Sequence, residues 1–217
     1  MRRPNVENSV MYACVASLLK SHLRNRFVNL ESTNIRSANR FQNVVKPHSV
    51  VASKCLDLLS NVLTYNGASS LLGMRKVHLI DTGSARTLLM KGSNETKHKK
   101  LLDIGSGNGD VTDCLSPLFE EVSAIEVSGA CRFALKKRHR ISRVLKDMNE
   151  LDSEEQFDVI SLLNVLDRCD CPNTLLSSVH ERVGKYLLVS AAYPWVPFSI
   201  ESGDILSKWR SGQARRR

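Results

Sequence analysis

Residues 100–110 read Lys-Leu-Leu-Asp-Ile-Gly-Ser-Gly-Asn-Gly-Asp, and this stretch decides the fold. Leu101, Leu102 and Ile104 indicate a short buried strand, the glycines after them indicate a tight turn, and a helix is predicted to begin near Asp110. Glycine has no Cβ, so a glycine turn between a strand and a helix lets the backbone come close to a ligand. The stretch therefore predicts an α/β fold with a ligand site at the turn.

The spacing of these glycines separates two kinds of nucleotide site. The dinucleotide fingerprint is G-x-G-x-x-G, whereas Gly105, Gly107 and Gly109 form G-x-G-x-G with Asp103 two residues ahead. No Lys-Ser/Thr pair follows, which excludes a phosphate-binding P-loop. The D-x-G-x-G-x-G pattern resembles motif I of the class I S-adenosylmethionine methyltransferases. That resemblance implies S-adenosylmethionine as the cofactor, bound by Asp103, Gly105, Ser106 and Gly107; the alternative is a tight turn that binds nothing.

Strands and helices alternate after the turn. The predicted elements are strands over residues 122–127, 141–145, 157–163 and 186–192 and helices over residues 111–118, 128–138 and 172–183. This alternation predicts a Rossmann-like, doubly wound parallel sheet of order 3-2-1-4-5, with ligands at the carboxyl ends of its strands. No strand is predicted after residue 192, although a complete class I methyltransferase sheet adds two more, so we expect this sheet to lack the last strands.

The 217 residues suit one domain with an extension. Apolar stripes predict helices over residues 10–30 and 50–63 and a short helix over residues 84–91, and the polar, basic segment that follows marks a boundary. We divide the chain into an N-terminal helical extension (residues 1–92), a S-adenosylmethionine-binding core (93–198) and a basic tail that is predicted to be disordered (199–217).

Composition bears on the compartment and the partners. The net charge of +9 is concentrated in short clusters of Lys and Arg; such clusters can attract nucleic acid, but solvated surface is the commoner case and a nucleic-acid partner is not favoured. The six cysteines show neither a C-x-x-C pair nor a zinc spacing, so we expect reduced thiols and no metal site. No stretch has the roughly 18 apolar residues of a membrane span. We expect an intracellular protein, in the cytoplasm or associated with endomembranes or mitochondria.

Two sets of side chains follow the second and third predicted strands. Glu126 ends the second strand, 21 residues after Gly105, and a carboxylate there can accept hydrogen bonds from both ribose hydroxyls. Asp147, Met148 and Asn149 follow the third strand, where class I enzymes contact adenine; a carboxylate or amide accepts from the amino group while Met packs on the ring. An exposed acid at a strand end and a plain turn are the alternatives.

Asn164 and Asp167 follow the fourth predicted strand, at the switch point of the sheet, where the methyl group is expected. Enzymes that methylate adenine or amino groups usually carry D/N-P-P-Y/F/W here, whereas this chain reads Leu-Leu-Asn-Val-Leu-Asp-Arg-Cys-Asp. The cysteine environment of a pyrimidine C5 enzyme is also missing. A base recognised in either manner is therefore not the expected substrate.

The motif residues together resemble the DREV family of methyltransferases. The similarity lies in Leu-Asp-Ile-Gly-Ser-Gly-Asn-Gly-Asp-Val-Thr at residues 102–112, in residues 115–121 and in the Leu-Asp-Arg-Cys-Asp run at residues 166–170. With Leu-Leu-Gly at residues 71–73, the resemblance extends over residues 48–195. It implies protein-histidine methylation at the pros nitrogen, with protein substrates that carry His-x-His motifs as the partners.

The resemblance also assigns roles. It implies that Glu126 holds the ribose and that Asn164 and Asp167, the predicted catalytic residues, face the cofactor and the substrate imidazole. A neutral imidazole is a nucleophile at pH 7, and a carboxylate that accepts its other N–H selects the tautomer and orients the ring. We assign that carboxylate to Asp167; the alternative is that Asp167 only caps a loop.

The chain departs from the family pattern in two places. The hydrophobic leader is not recognisable, and residues 199–217 replace the segment that adds an aromatic residue and completes the sheet. Two other interpretations therefore stay open. One is an RNA or small-molecule methyltransferase assisted by the basic clusters, and the other is a truncated, inactive member of the family.

Overall fold

The protein is described by a computed structural model over part of its length. The described residues are 20–21, 50–59, 68–69, 72, 77, 79–91 and 94–191. Most of the helix predicted over residues 10–30 lies outside them. The basic tail and the predicted lack of the last strands concern residues 192–217, which also lie outside, so both remain predictions. The division of the chain at residues 92 and 198 likewise remains a prediction.

Helices and strands alternate in the order predicted. The elements are α1 (Val50–Leu59), α2 (Thr82–Leu89), β1 (His98–Ile104), α3 (Asp110–Leu115), β2 (Phe119–Ile125), α4 (Gly129–Leu135), β3 (Arg143–Leu145), β4 (Phe157–Leu163), α5 (Pro172–His180) and β5 (Val183–Ser190). Short 3-10 turns cover Ser116–Leu118 and Met148–Glu150.

The described strands form one parallel sheet of order β3-β2-β1-β4-β5. β1 lies between β2 and β4, with Ile104 opposite Ile125 on one side and Leu162 on the other. On the far side of β2, Ile125 pairs with Leu145 of β3. The predicted Rossmann-like, doubly wound fold is confirmed, and its parallel strands bring the segments that follow them to one edge.

Successive residues of β1 enter two different apolar clusters, one on each face of the sheet. Leu101 packs with Leu115, Leu118 and Val159, whereas Leu102 packs with a second group that includes Ile160 and Val179. Side chains alternate between the faces of a strand, and a parallel sheet is covered on both. Each fully buried leucine contributes on the order of 1.5–3 kcal/mol, so these clusters fix the strands whose ends carry the site.

The segment before β1 belongs to the first of these clusters. Ile80, Ala85, Leu89 and Met90 are buried there with Leu101. Asp81 caps α2 by accepting the backbone N–H of Ser84. α2 and its flanking residues therefore pack against the central strand β1 on one face of the sheet.

The amino edge of the sheet is held by one carboxylate. Asp158 Oδ2 of β4 accepts the backbone N–H groups of Lys99 (2.8 Å) and Lys100 (2.9 Å) of β1. Burial alone would raise the pKa of Asp158, but these two hydrogen bonds lower it below its usual value. Lys185 Nζ of β5 lies 3.6 Å from Asp158 Oδ1 and 3.0 Å from Glu95. These contacts join three strands at the edge opposite the glycine turn.

One sequence prediction at β5 is wrong. The sequence predicts a helix over residues 172–183, which Gly184 would end, and a strand from residue 186, but α5 ends at His180 and Gly184 lies within β5. A Cβ on Gly184 would lie 3.3 Å from the carbonyl oxygen of Phe157. The glycine therefore permits a close approach of β5 to β4, at a point where their register shifts.

Candidate functional site

The glycine turn has the backbone that its sequence predicts. Gly105, Gly107 and Gly109 have φ values of +73°, +57° and +86°, a region that other residues rarely adopt. The N–H of Gly105 donates to the carbonyl of Ile125 at 2.8 Å, which ties the turn to the end of β2. A Cβ on Gly107 would meet no atom within 4 Å. Open space therefore lies beside the turn, as a ligand requires.

Glu126 joins the turn to the next helix. Its Oε2 accepts the backbone N–H of Gly107 and its Oε1 accepts that of Ser128, both at 2.8 Å. The residue is only 9 % exposed, and its own N–H donates to Leu145 of β3. Each carboxylate oxygen has two acceptor positions, so both can also receive a ligand hydroxyl. The structure brings Glu126 to the turn; its contact with ribose stays a prediction.

Two neighbours of Glu126 were not identified from the sequence. Val127 is 64 % exposed and directly follows the acid, so it presents an apolar surface at the ligand edge. Arg132 Nη1 donates to the carbonyls of Glu126 (2.8 Å) and Val127 (2.7 Å) and so fixes the backbone of both. The position of Val127 directly after the acid could have indicated it, whereas no local pattern indicates the Arg132 contact.

Asp103 lies beneath the turn. Ser161 Oγ of β4 donates to its Oδ1 at 2.6 Å, and Thr112 Oγ1 of α3 donates to its Oδ2. The side chain is 3 % exposed. Burial raises the pKa of Asp103 to about 6, against the lowering effect of the two hydroxyls, and the negative charge of Glu126 raises it further. The predicted cofactor residue is thus an interior carboxylate that joins β1, α3 and β4.

Asn164 ends β4 in a left-handed conformation, with φ of +57°. Its backbone N–H is shared between the carbonyl and the hydroxyl oxygens of Ser190, each at 3.0 Å. Ser190 Oγ donates in turn to Asn164 Oδ1 at 3.1 Å. A non-glycine residue with positive φ is uncommon and is kept only where surrounding contacts fix it. The end of β5 therefore determines where Asn164 and the following loop lie.

The same loop carries Asp167, whose carboxylate is 5 % exposed. Asp167 Oδ1 has no hydrogen-bond partner among the described residues, and Oδ2 lies 3.8 Å from Arg168 Nε. Buried polar atoms are nearly always hydrogen-bonded. Burial raises the pKa of the nearby Cys169 thiol, so a thiolate nucleophile is not favoured here. The unpartnered oxygen of Asp167 is therefore the feature that indicates a bound donor.

The residues after β3 form a short turn. Asp147 Oδ1 accepts the backbone N–H of Asn149 at 2.9 Å, Asn149 is exposed, and Met148 packs partly against the second apolar cluster. β3 pairs with β2 beside Glu126, so the three residues lie at the ligand edge. Their predicted contact with adenine stays a prediction.

Other sequence predictions concern metals, thiols and basic clusters. Among the described residues, no three His, Cys, Asp or Glu side chains are grouped as metal ligands, and no helix is both long and apolar enough to cross a membrane. The cysteines of that part are free thiols. In the cluster at residues 136–140, Arg138 pairs with Asp110 and Asp113 and Lys137 lies over Phe133.

Several known proteins are similar to this chain. The mitochondrial ubiquinone biosynthesis O-methyltransferase of Schizosaccharomyces pombe is 24 % identical over 173 residues, which are 75 % of this chain and 62 % of that protein. The chain thus spans less than two thirds of the length of this relative. The N-methyltransferase NodS of Bradyrhizobium japonicum, solved with S-adenosylhomocysteine, is 20 % identical with a TM-score of 0.41, covering 50 % of this chain and 58 % of that one. The plantazolicin methyltransferase BpumL is 18 % identical with a TM-score of 0.41, over 63 % and 51 % of the two chains.

The family comparison covers more of the chain. The profile described as DREV methyltransferase matches residues 7–203, a range that includes the glycine turn, Glu126, Asn164 and Asp167. The match confirms the resemblance predicted from the motifs, and with the open glycine turn it confirms S-adenosylmethionine as the cofactor. Because the match extends over most of the 217 residues, this chain belongs to the DREV methyltransferase family.

Proposed function

We propose that this chain transfers the methyl group of S-adenosylmethionine to the pros nitrogen, Nδ1, of histidine in proteins that carry His-x-His motifs. The observation that carries the proposal is the buried Asp167 carboxylate, whose Oδ1 lacks a donor among the described residues. A buried acceptor without a partner costs about 1–3 kcal/mol. An N–H brought by a substrate ring would remove that cost, so substrate binding and ring orientation are linked.

The cofactor side of the site is assigned to residues around the glycine turn. We assign the ribose to Glu126, the adenine to Val127 and to the turn of Asp147, Met148 and Asn149, and the remainder to the backbone of Gly105–Gly107. Glu126 is held by the N–H groups of Gly107 and Ser128, so its carboxylate is oriented before a ligand arrives. S-adenosylmethionine, when bound, supplies an electrophilic methyl group on a positively charged sulfur.

Asp167 orients the substrate imidazole that accepts the methyl group. When Nε2–H of a substrate imidazole donates to its carboxylate, the ring is fixed in the tautomer whose Nδ1 carries a free lone pair. The new bond joins Nδ1 to the methyl carbon, while the sulfur keeps the electron pair of the bond that breaks. The ring becomes cationic and then loses the Nε2 proton to water when the product leaves. Neutral imidazole needs no strong base, so the chain contributes mainly orientation.

Asn164 is the second residue of the methyl-transfer edge. Its Oδ1 accepts from Ser190 Oγ, and its Nδ2 carries two N–H donors that can serve a ligand. The left-handed backbone at Asn164 turns the chain sharply after β4 and so sets the path toward Asp167. We therefore assign Asn164 to the contact with the cofactor beside the reacting atoms.

The test is methyl transfer to matched peptides, read by mass spectrometry. We expect His-x-His peptides to gain one methyl group at Nδ1, and peptides with Ala in place of both histidines to gain none. Asp167→Asn should lower kcat/KM about 100-fold and leave S-adenosylhomocysteine affinity within about threefold. Asp152→Asn, the same change at an exposed loop carboxylate, should have no effect.

A small-molecule substrate is the competing outcome, because the relative from Schizosaccharomyces pombe is named for ubiquinone biosynthesis. If the chain binds S-adenosylmethionine but methylates no histidine peptide, while a catechol or phenol accepts the methyl group, the histidine proposal is wrong. If it binds the cofactor and methylates neither class of substrate, the inactive alternative is favoured.

A further inference from the structure

The Asp103 carboxylate is buried, and its partners in the described part of the chain are two hydroxyl groups. Its two oxygens accept from the hydroxyls of Thr112 and Ser161, and no Lys, Arg or His of the described residues pairs with it. An ionised carboxylate removed from water is costly unless it is paired. Two neutral donors offset this cost only in part, because burial still outweighs them.

Three groups act on the Asp103 carboxylate. Thr112 of α3 and Ser161 of β4 donate hydrogen bonds from their hydroxyls. Glu126, the residue directly after β2, contributes a negative charge. Two carboxylates therefore lie close to the glycine turn: Asp103 in the interior and Glu126 on the backbone N–H of Gly107. Two guanidinium groups lie near this turn, but Arg138 pairs with Asp110 and Asp113 and Arg132 donates to the backbone carbonyls of Glu126 and Val127. Among the described residues, neither pairs with the carboxylate of Asp103 or of Glu126.

A cation bound at the turn would balance the charge of these two carboxylates. S-adenosylmethionine has a positively charged sulfur, whereas the sulfur of S-adenosylhomocysteine is neutral; all other charges of the two molecules are the same. We propose that the buried charge of Asp103, supported by Glu126, makes the site prefer S-adenosylmethionine over S-adenosylhomocysteine. The inference rests on the cofactor site and not on the histidine substrate.

Asp103 acts here at a distance. Its side chain is 3 % exposed and its two oxygens accept from protein hydroxyls, so it selects by charge and positions the turn from the interior. A Coulomb interaction inside a protein is less screened than in water, and it disappears when the sulfur loses its charge. Methyl transfer would thus weaken the hold on the product and favour its release.

The preference should depend on pH, because burial raises the pKa of Asp103 to about 6. Below that pH the carboxyl group is neutral and the preference should fall. A bound cation favours the carboxylate, so S-adenosylmethionine should release a proton on binding near pH 6, in excess of what S-adenosylhomocysteine releases. Glu126 faces both ligands, and its contribution to the ribose contact cancels in the ratio of the two affinities.

The experiment is calorimetric titration of the full chain with S-adenosylmethionine and with S-adenosylhomocysteine at pH 8.0 and pH 5.5. At pH 8.0 we expect Asp103→Asn to lower the affinity ratio of the two ligands about tenfold, which corresponds to 1.4 kcal/mol. Asparagine can still bond both hydroxyls, so the variant mainly removes charge. Thr112→Val removes one hydrogen bond and keeps the charge, so it should keep the ratio.

The pH dependence of the affinity ratio in the unmodified chain is a second, independent test. Its affinity ratio should fall between pH 8.0 and pH 5.5 toward that of Asp103→Asn, whose own ratio should not change. This comparison remains valid if a variant fails to fold. A ratio that is independent of pH, or an equal loss of both affinities in Asp103→Asn, would overturn the inference. If peptides are not methylated but the affinity ratio of the two ligands behaves as expected, the proposed histidine substrate is wrong and the inference about Asp103 stands.

Discussion

Val165 occupies the space that a side chain at Gly105 would need. A Cβ built on Gly105 would lie 2.6 Å from Val165 Cγ2, a distance that real Cβ atoms do not adopt. The glycine turn after β1 and the loop after β4 therefore meet directly, backbone against side chain. This contact fixes the cofactor residues relative to Asn164, which directly precedes Val165, and Asp167, two residues after it.

We expect Gly105→Ala to prevent cofactor binding and to destabilise the fold. The variant combines a left-handed backbone, which costs an ordinary residue about 1 kcal/mol, with overpacking that costs about 1–3 kcal/mol. Calorimetry with S-adenosylhomocysteine and thermal unfolding would measure the two effects. Gly107→Ala has the same backbone strain without the clash, so it should unfold at a higher temperature than Gly105→Ala. Binding by Gly105→Ala at the affinity of the unmodified chain would contradict this view of the contact.

Glu126→Gln should weaken S-adenosylhomocysteine binding about 10- to 100-fold. The Gln amide nitrogen cannot accept from Gly107 or Ser128, so one backbone N–H would face another donor and the turn would lose its anchor. Glu121→Gln is the matched control, because Glu121 is an exposed residue of β2 whose pair with Lys100 is 3.9 Å long and contributes little. Equal affinities of the two variants would show that Glu126 is an ordinary strand-end acid.

Asp103→Asn should be more stable than the unmodified chain at pH 8. The folded protein holds the Asp103 proton up to pH about 6, whereas the unfolded chain loses it near pH 4. The folded state thus binds more protons in this window, and stability falls as the pH rises through it. The charge costs on the order of 3 kcal/mol above pH 6, which asparagine avoids. In thermal unfolding, Asp103→Asn should have the higher midpoint temperature at pH 8, and its difference from the unmodified chain should be smaller at pH 4. A variant that is less stable than the unmodified chain at pH 8 would contradict this.

Removal of residues 1–92 should leave a chain that folds poorly. Such a cut deletes Ile80, Ala85, Leu89 and Met90 from the cluster around Leu101, and each lost large side chain costs about 2–5 kcal/mol. A cut before residue 77 keeps these residues and should retain a cooperative thermal transition. Circular dichroism of the two shortened chains would decide, and equal transitions would support the division at residue 92.

The parts of this site that depend on residues close together in the sequence can be predicted from the sequence alone. The glycine spacing fixes the turn, and the distance from Gly105 to Glu126 follows from the usual length of a strand–helix–strand unit, so both could be placed without a structure. The bond between Asp103 and Ser161 joins residues 58 positions apart, and only the register of β1 and β4 brings them together. A serine in the apolar run of β4 was the sole sign that a buried polar partner existed.

Gly184 was misread for a related reason. A glycine after a helical pattern usually ends the helix, and nothing local shows that a neighbouring strand would lie within 3.3 Å of a Cβ at this position. The close approach of β5 to Phe157 is a property of the sheet. Likewise, the placement of Asp167 after β4 could be predicted, but whether a described residue donates to its Oδ1 depends on how the whole loop folds.

The Asp158 contacts mark an edge of the sheet at which a label can be attached far from the residues assigned to ligand binding. Asp158, Lys185 and Glu95 join β1, β4 and β5 at the amino ends of the strands, a full strand length from the segments that receive ligands. A fluorophore or an immobilising surface attached at the exposed Lys97 would leave the ligand edge facing solution. Ligand binding could then be followed on single tethered molecules whose strand carboxyl ends all face the solution.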